Sequence, residues 1–166
     1  MLPMFASHVE LAVSWCPACN GTGLTRSRPP QVCRCVYRVI FRRCYAQFRR
    51  CRQDARSTQP MPLERRSTPQ GLRHTTWVRR NEDYCADFEL AARQALDPGS
   101  HRLFRLHYLL GCPAPLLAQQ FRLHPSIIKR LLLRIQRQIG SRIAESTPYS
   151  IYPPAAYLYT LPNVCH

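Results

Sequence analysis

The chain has 166 residues, 45% of them hydrophobic and 20% charged, a mix that suits one medium domain or two small ones and excludes a disordered chain. Its formal charge of +15 departs from the near-neutral balance of an average soluble enzyme and favours a polyanionic partner, nucleic acid ahead of a membrane surface. There is no glycine-rich phosphate loop, no Ser-His-Asp spacing and no carboxylate pair outside one acidic helix, so no enzymatic activity is expected.

The first fifteen residues lack a basic start and are interrupted by His8 and Glu10. They read as neither a signal peptide nor a spanning helix, which gives the expectation of a cytoplasmic protein with no membrane partner. Nine cysteines in such a chain point to metal or buried thiols rather than to a disulfide framework.

Four of them form a pattern. Cys16-Pro17-Ala18-Cys19 is followed by Asn20-Gly21-Thr22-Gly23 and, after a polar turn, by Cys33-Arg34-Cys35. A Cys-x-x-Cys knuckle lets two sulfurs face one ion, and the glycines after it permit the turn. Cys16, Cys19, Cys33 and Cys35 are therefore candidate ligands of a structural Zn2+, with Cys44 as the substitute should Cys35 turn away. The CxxCxGxG form also resembles half of a zinc repeat of DnaJ-type chaperones. Those carry several repeats and this chain has one, so a chaperone role does not transfer.

Next, 36–53 reads as a helix. Tyr37, Ile40, Phe41, Cys44, Phe48 and Cys51 recur at three- and four-residue steps, which makes Cys44 and Cys51 small core residues. Arg34, Arg38, Arg42, Arg49 and Arg52 lie within about 40° of a common direction at about 100° per residue. A stripe of one sign gains no i,i+4 pairs and suits phosphate or an acidic partner.

Residues 54–76, rich in Ser, Thr, Pro and Gln, read as a linker. The helical pattern resumes at Asn81, with Tyr84, Phe88, Ala91, Ala92 and Ala95 on one side, and ends before Asp97-Pro98-Gly99-Ser100. Then Leu103, Phe104, Leu106 and Leu110 predict a helix stopped by Gly111. Pro113 and Pro115 predict a short second helix from about Ala114 that carries Leu116, Leu117, Ala118 and Phe121. After the break at His124-Pro125-Ser126, a third helix runs to about Ile143. It holds Ile128, Leu131, Leu132, Ile135 and Ile139 on one face, with Ser126, Lys129, Arg130 and Arg137 opposite and Arg134 near the boundary. The segment 146–166 is uncharged but for its terminal His, rich in Tyr and Pro, and apolar enough that it is expected to dock on the domain or on a partner.

The array Leu106-His107-Tyr108-Leu109-Leu110-Gly111, Leu117-Ala118, Leu123-His124, Ile128-Lys129 and Leu132 resembles the helix-turn-helix of the promoter-reading C-terminal domain of bacterial sigma factors. A similar array occurs in late-gene antitermination regulators of lambdoid phages, which are also basic. The resemblance covers about residues 102–142. Arg122 stands where the family has a turn glycine, His124 where it has a serine or threonine cap, and Leu131 and Leu133 where it often has polar groups.

The expected fold class is mainly α: a small four-cysteine zinc module with a basic helix (1–53), a linker (54–76), a helical helix-turn-helix domain (77–145) and a Pro/Tyr-rich tail (146–166). The resemblance implies a sequence-specific DNA-binding transcription regulator, with RNA polymerase as a further partner. Ser126, Lys129 and Arg130 are then expected at base edges and Arg122, Arg134 and Arg137 near phosphates, while Arg34, Arg38, Arg42, Arg49 and Arg52 supply a second phosphate or partner contact. Two alternatives stand beside it: an adaptor on RNA polymerase that does not read DNA, and a zinc-dependent RNA-binding protein.

Overall fold

The computed structural model describes residues 6–57, 69–146 and 151–159, with side chains at 8–55, 79–146 and 151–158. A 3-10 turn (Ala6–Leu11) leads into the cysteine loop, and among the described residues six helices follow: α1 (Arg34–Ser57), α2 (Pro69–Ala95), α3 (Pro98–Phe104), α4 (Ala114–Phe121), α5 (Pro125–Glu145) and α6 (Pro154–Tyr159). A π-helical turn (Arg105–Leu109) continues α3. Among the described residues no strand forms; one antiparallel bridge joins Leu24 to Val32.

The described residues divide into two compact units, one built from 1–42 with 91–145 and the other from 43–90 with 146–166. These boundaries fall inside α1 and α2, and the cysteine loop shares a unit with α3, α4 and α5, unlike the expected partition into 1–53, 54–76, 77–145 and 146–166. The cause is the apolar stripe of α1. Val36, Ile40 and Phe41 are buried in the first unit and Cys44, Phe48 and Cys51 in the second, so one amphipathic helix supplies core to both. Helices enter the expected 54–76 linker from both sides. α1 runs to Ser57 and α2 begins at Pro69, a residue whose fixed φ suits a first helical turn; 58–68 lie outside the described residues.

The first unit buries Leu103 and Phe104 of α3, Leu117 and Ala118 of α4, and Ile128, Leu132, Ile135, Ile139 and Ile143 of α5. Burial of each large aliphatic or aromatic side chain contributes about 1.5–3 kcal/mol, so the α5 stripe alone anchors that helix. Tyr108 ties the pieces together: its ring meets Phe41 edge-on at 5.1 Å and Phe104 at 5.5 Å, and its hydroxyl accepts from Gln136 Nε2 at 2.9 Å. Gly140 brings α5 against the backbone of α1, where an added Cβ would collide with Tyr37.

The second unit packs Phe48 against Phe88 at 4.8 Å, and Tyr84 donates its hydroxyl to the Cys44 carbonyl at 3.3 Å. The docking expected of the Tyr/Pro segment occurs here. Ile151 and Leu158 are buried, Tyr157 donates to Asp87 Oδ2 at 2.6 Å, and Arg80 donates to the Leu158 carbonyl at 2.8 Å.

Two helix ends carry predictions. Asp97 caps α3, its carboxylate accepting from the Ser100 amide at 3.0 Å, and that bond holds the Asp97 carboxyl below the ordinary aspartate range. A depressed folded-state value means that the cap is intact at neutral pH and is lost as pH falls through it. The Ser100 amide shift in NMR should therefore titrate with a midpoint under the model-peptide value of about 3.9, and a midpoint at or above that value would show the cap to be absent. Arg122 ends α4 at φ 52° and ψ 41°, the left-handed geometry that favours glycine. Left-handed geometry costs a non-glycine residue about 1–2 kcal/mol, against about 0.5–1 kcal/mol of extra chain entropy for glycine. Arg122→Gly should thus stabilise the protein by about 0.5 kcal/mol and raise Tm by about 1–2 °C in a calorimetric scan. A fall in Tm would mean that the Arg122 side chain contributes more than its backbone costs.

Candidate metal centre and basic surface

The cysteine loop is shaped by turns. Asn20 N donates to the Cys16 carbonyl at 2.7 Å and Thr22 N to the Cys19 carbonyl at 3.0 Å, which folds the knuckle back on itself. Gly23, at φ 75°, packs so closely against Val9 that a Cβ would lie 2.6 Å from its carbonyl oxygen, so only glycine fits. Cys33 N then donates to the Gly23 carbonyl at 2.7 Å and returns the chain beside the first pair.

The result is a quartet. The Sγ atoms of Cys16, Cys19, Cys33 and Cys35 all lie within 4.8 Å of one another. Cys16 and Cys33 sulfurs are 3.8 Å apart and those of Cys19 and Cys35 3.7 Å. Four thiolates about 2.3 Å from a central ion define a tetrahedron with edges of about 3.8 Å, so the two shortest separations already match a four-coordinate site. Cys35 is a member, and Cys44 is not: its thiol is buried in the other unit, 3.9 Å from the Ile151 carbonyl. Burial pushes the Cys35 thiol up to about 12 and raises Cys33, whereas the Ala18 amide pulls Cys16 down to about 7. A divalent cation would reverse the unfavourable terms by supplying the missing charge. Thiols alone gain little from such crowding.

On α5, Ser126, Lys129, Arg130 and Arg134 are exposed, as is Arg122 just before it, while Ile128, Leu132, Ile135 and Ile139 point into the core. His124 caps the helix with its ring: Nδ1 accepts from the Ser126 amide at 3.3 Å and lies 2.8 Å from the Ser126 hydroxyl. The imidazole does here what a serine or threonine hydroxyl commonly does at a helix start. Leu133 is 40% exposed and Leu116 52%, and Leu110 and Leu123 are exposed as well, apolar groups among the charged ones.

Arg137 stands apart from that exposed row. It is half-buried in a cleft beside Arg34, and desolvation together with the neighbouring Arg34 and Arg134 charges lowers its proton affinity. The arginine stripe of α1 is also uneven. Arg34, Arg42 and Arg49 are exposed, but Arg38 is half-buried with its Nε unpartnered, and Arg52 lies over the Phe48 ring at 5.6 Å.

One cluster escaped the sequence reading. Cys51 accepts from Gln47 Nε2 at 3.4 Å, donates to Asn81 Oδ1 at 3.5 Å, and shares a hydrogen bond with Cys85. That last bond draws Cys51 down to about 7 and pushes Cys85 upward. Cys85 sits on the face of α2 that the apolar pattern passed over, so no spacing signal joined the two.

Fold and site together define a mainly helical protein with a four-cysteine cluster suited to a metal ion. Among the described residues no helix is long and apolar enough to cross a membrane. Comparison of the chain with protein-family models, curated proteins and solved structures gave no match.

Proposed function

We propose that this protein is a DNA-binding transcription regulator that reads a preferred sequence with the N-terminal turns of α5 and is stiffened by a structural Zn2+ on Cys16, Cys19, Cys33 and Cys35. The observation that carries the reading is the division of α5 into a buried aliphatic face and an exposed Ser126, Lys129, Arg130 and Arg134 face, preceded by the short helix α4 and a tight turn. In a helix-turn-helix that face enters the major groove, about 12 Å wide, N-terminal side chains first. Ser126, Lys129 and Arg130 meet base edges, and Arg122 and Arg134 meet phosphates. The net charge of +15 supplies the counterion-release term that brings the protein to DNA. Zinc is the ion of choice because it takes four thiolates in tetrahedral geometry, and four protein ligands leave no open position for catalysis, which makes the site structural.

The test is retention of random genomic fragments by the zinc-quantified protein at two salt concentrations, with sequencing of what is held. A shared sequence, and affinity falling steeply with salt, supports the reading; retention without preference overturns sequence reading. Lys129→Ala should weaken binding to the preferred sequence by about 1–3 kcal/mol and weaken random DNA much less. The exposed Leu116 and Leu133 favour a second reading, an adaptor that docks on RNA polymerase; binding to polymerase that is insensitive to salt, with no DNA retained, would select it.

A further inference from the structure

In the first unit a cleft of about 980 Å³ opens between the turn that follows the cysteine knuckle and the C-terminal half of α5. That is the size range of small-molecule sites. Pro29, Pro30 and Tyr37 give it apolar lining, while Arg137 and Gln138 of α5, with Arg34 at the start of α1, give it polar and charged lining.

Its electrostatics are unbalanced. Three guanidinium groups line the cleft, Arg34, Arg137 and Arg142, against one carboxylate, Glu145. Glu145 already accepts the Ser141 hydroxyl at 2.7 Å, and Arg142 donates twice to Gln94 Oε1, at 2.8 and 3.2 Å. Arg34 and Arg137 repel each other, and no side chain among the described residues pairs with either. Like charges held together beside apolar lining gain only when an anion bridges them. Gln138 adds a second requirement, because its buried Oε1 has no partner and calls for a hydrogen-bond donor.

We infer that this cleft binds a small organic phosphate of the nucleoside monophosphate class, its phosphate between the Arg34 and Arg137 guanidinium groups, its ring along Tyr37 and the prolines, and a ring or ribose donor on Gln138 Oε1. No single simpler ligand meets all three demands. Inorganic phosphate leaves the apolar lining and Gln138 unmet, and the phosphodiester backbone of a duplex presents its bases away from such a lining. A ligand here touches both the cysteine-loop turn and α5, so it is placed to act as an effector of whatever α5 binds.

The test is calorimetric titration of the full, metal-loaded chain with adenosine and guanosine 5′-monophosphate, with inorganic phosphate and a short duplex as further probes. Saturable nucleotide binding, weakened about tenfold or more in Arg34→Gln and in Arg137→Gln and unchanged in Arg26→Gln on the exposed loop, supports the inference. Gln138→Leu, which removes the unpartnered acceptor without touching charge, should weaken the nucleotide and leave inorganic phosphate unaffected. Absence of saturable binding, or binding indifferent to both arginine variants, overturns it. So does phosphate binding as tightly as the nucleotide, or a duplex competing for the cleft in a manner lost in the same variants, which would assign the guanidinium pair to DNA. None of these outcomes depends on whether α5 reads a sequence.

Discussion

Cys19→Ser or Cys33→Ser is expected to abolish stoichiometric metal binding and to unfold the loop between Ala12 and Cys33. Between Leu11 and Cys35 the buried side chains are Cys19 and Cys33 themselves, so the loop has no apolar core to fall back on. Beyond the turn bonds of the knuckle, its regular structure is the single bridge at Leu24 and Val32, made by Thr25 N to the Gln31 carbonyl and Cys33 N to the Gly23 carbonyl, each at 2.7 Å. A structural zinc site contributes about 10–16 kcal/mol of apparent binding free energy at neutral pH, far more than such turns supply. Native protein should release close to one equivalent of zinc to a chelator, and the Thr25 and Cys33 amides should then lose hydrogen-exchange protection while those of α5 keep theirs. Wild-type protein that carries no metal, or amides that stay protected after chelation, would remove the metal from the account of this loop. Because the ligands are thiolates, acid competes with the metal and favours its release.

Gly140→Ala is expected to destabilise the first unit by about 2 kcal/mol, against the usual order of helix propensities. Alanine in a helix interior is favoured over glycine by about 1 kcal/mol. Here the added methyl would lie 2.7 Å from the carbonyl carbon of Tyr37 and closer still to its oxygen, and both are backbone atoms of α1 that no rotamer change can move. Overpacking of this kind costs about 1–3 kcal/mol or more, enough to reverse the propensity gain. With a urea slope of about 1–3 kcal/mol per molar, the unfolding midpoint should fall by about 1 M. A variant as stable as the parent would mean that α1 and α5 do not pack as closely as described.

The amphipathic helices were legible because burial repeats with the helical period. Ile128, Leu132, Ile135 and Ile139 of α5 and Tyr84 and Phe88 of α2 are buried where that period puts them. The cysteine quartet was legible for a different reason: knuckle spacing fixes local turn geometry, so it survives ignorance of the rest of the fold. What could not be read was anything set by the element opposite. Arg137 shares its helix face with exposed cations, and only the turn at Pro29 and Pro30 encloses it in a cleft. The ring cap of His124 depends on a rotamer. The start of α3 at Pro98 was missed because Asp97-Pro98-Gly99-Ser100 reads equally as a turn, and the Ser100 amide on Asp97 decides for a cap.

The π-helical turn at Arg105–Leu109 changes the phase of everything that follows it. In an unbroken α-helix Leu103, Leu106 and Leu110 share one face, yet Leu103 is buried while Leu110 is 72% exposed. The five-residue reach of the Leu110 amide to the Arg105 carbonyl, at 3.0 Å, adds one residue to that turn and rotates its successors by about 100°. The segment therefore behaves as an α-helix with one residue inserted. Deleting a single residue from 105–109 would restore a plain α-turn and leave Leu110 and Gly111 at their present angle, whereas the full-length segment wound as plain α-helix would carry Leu110 onto the buried face. In the language of reading frames, the approach to α4 and α5 is set by a plus-one slip.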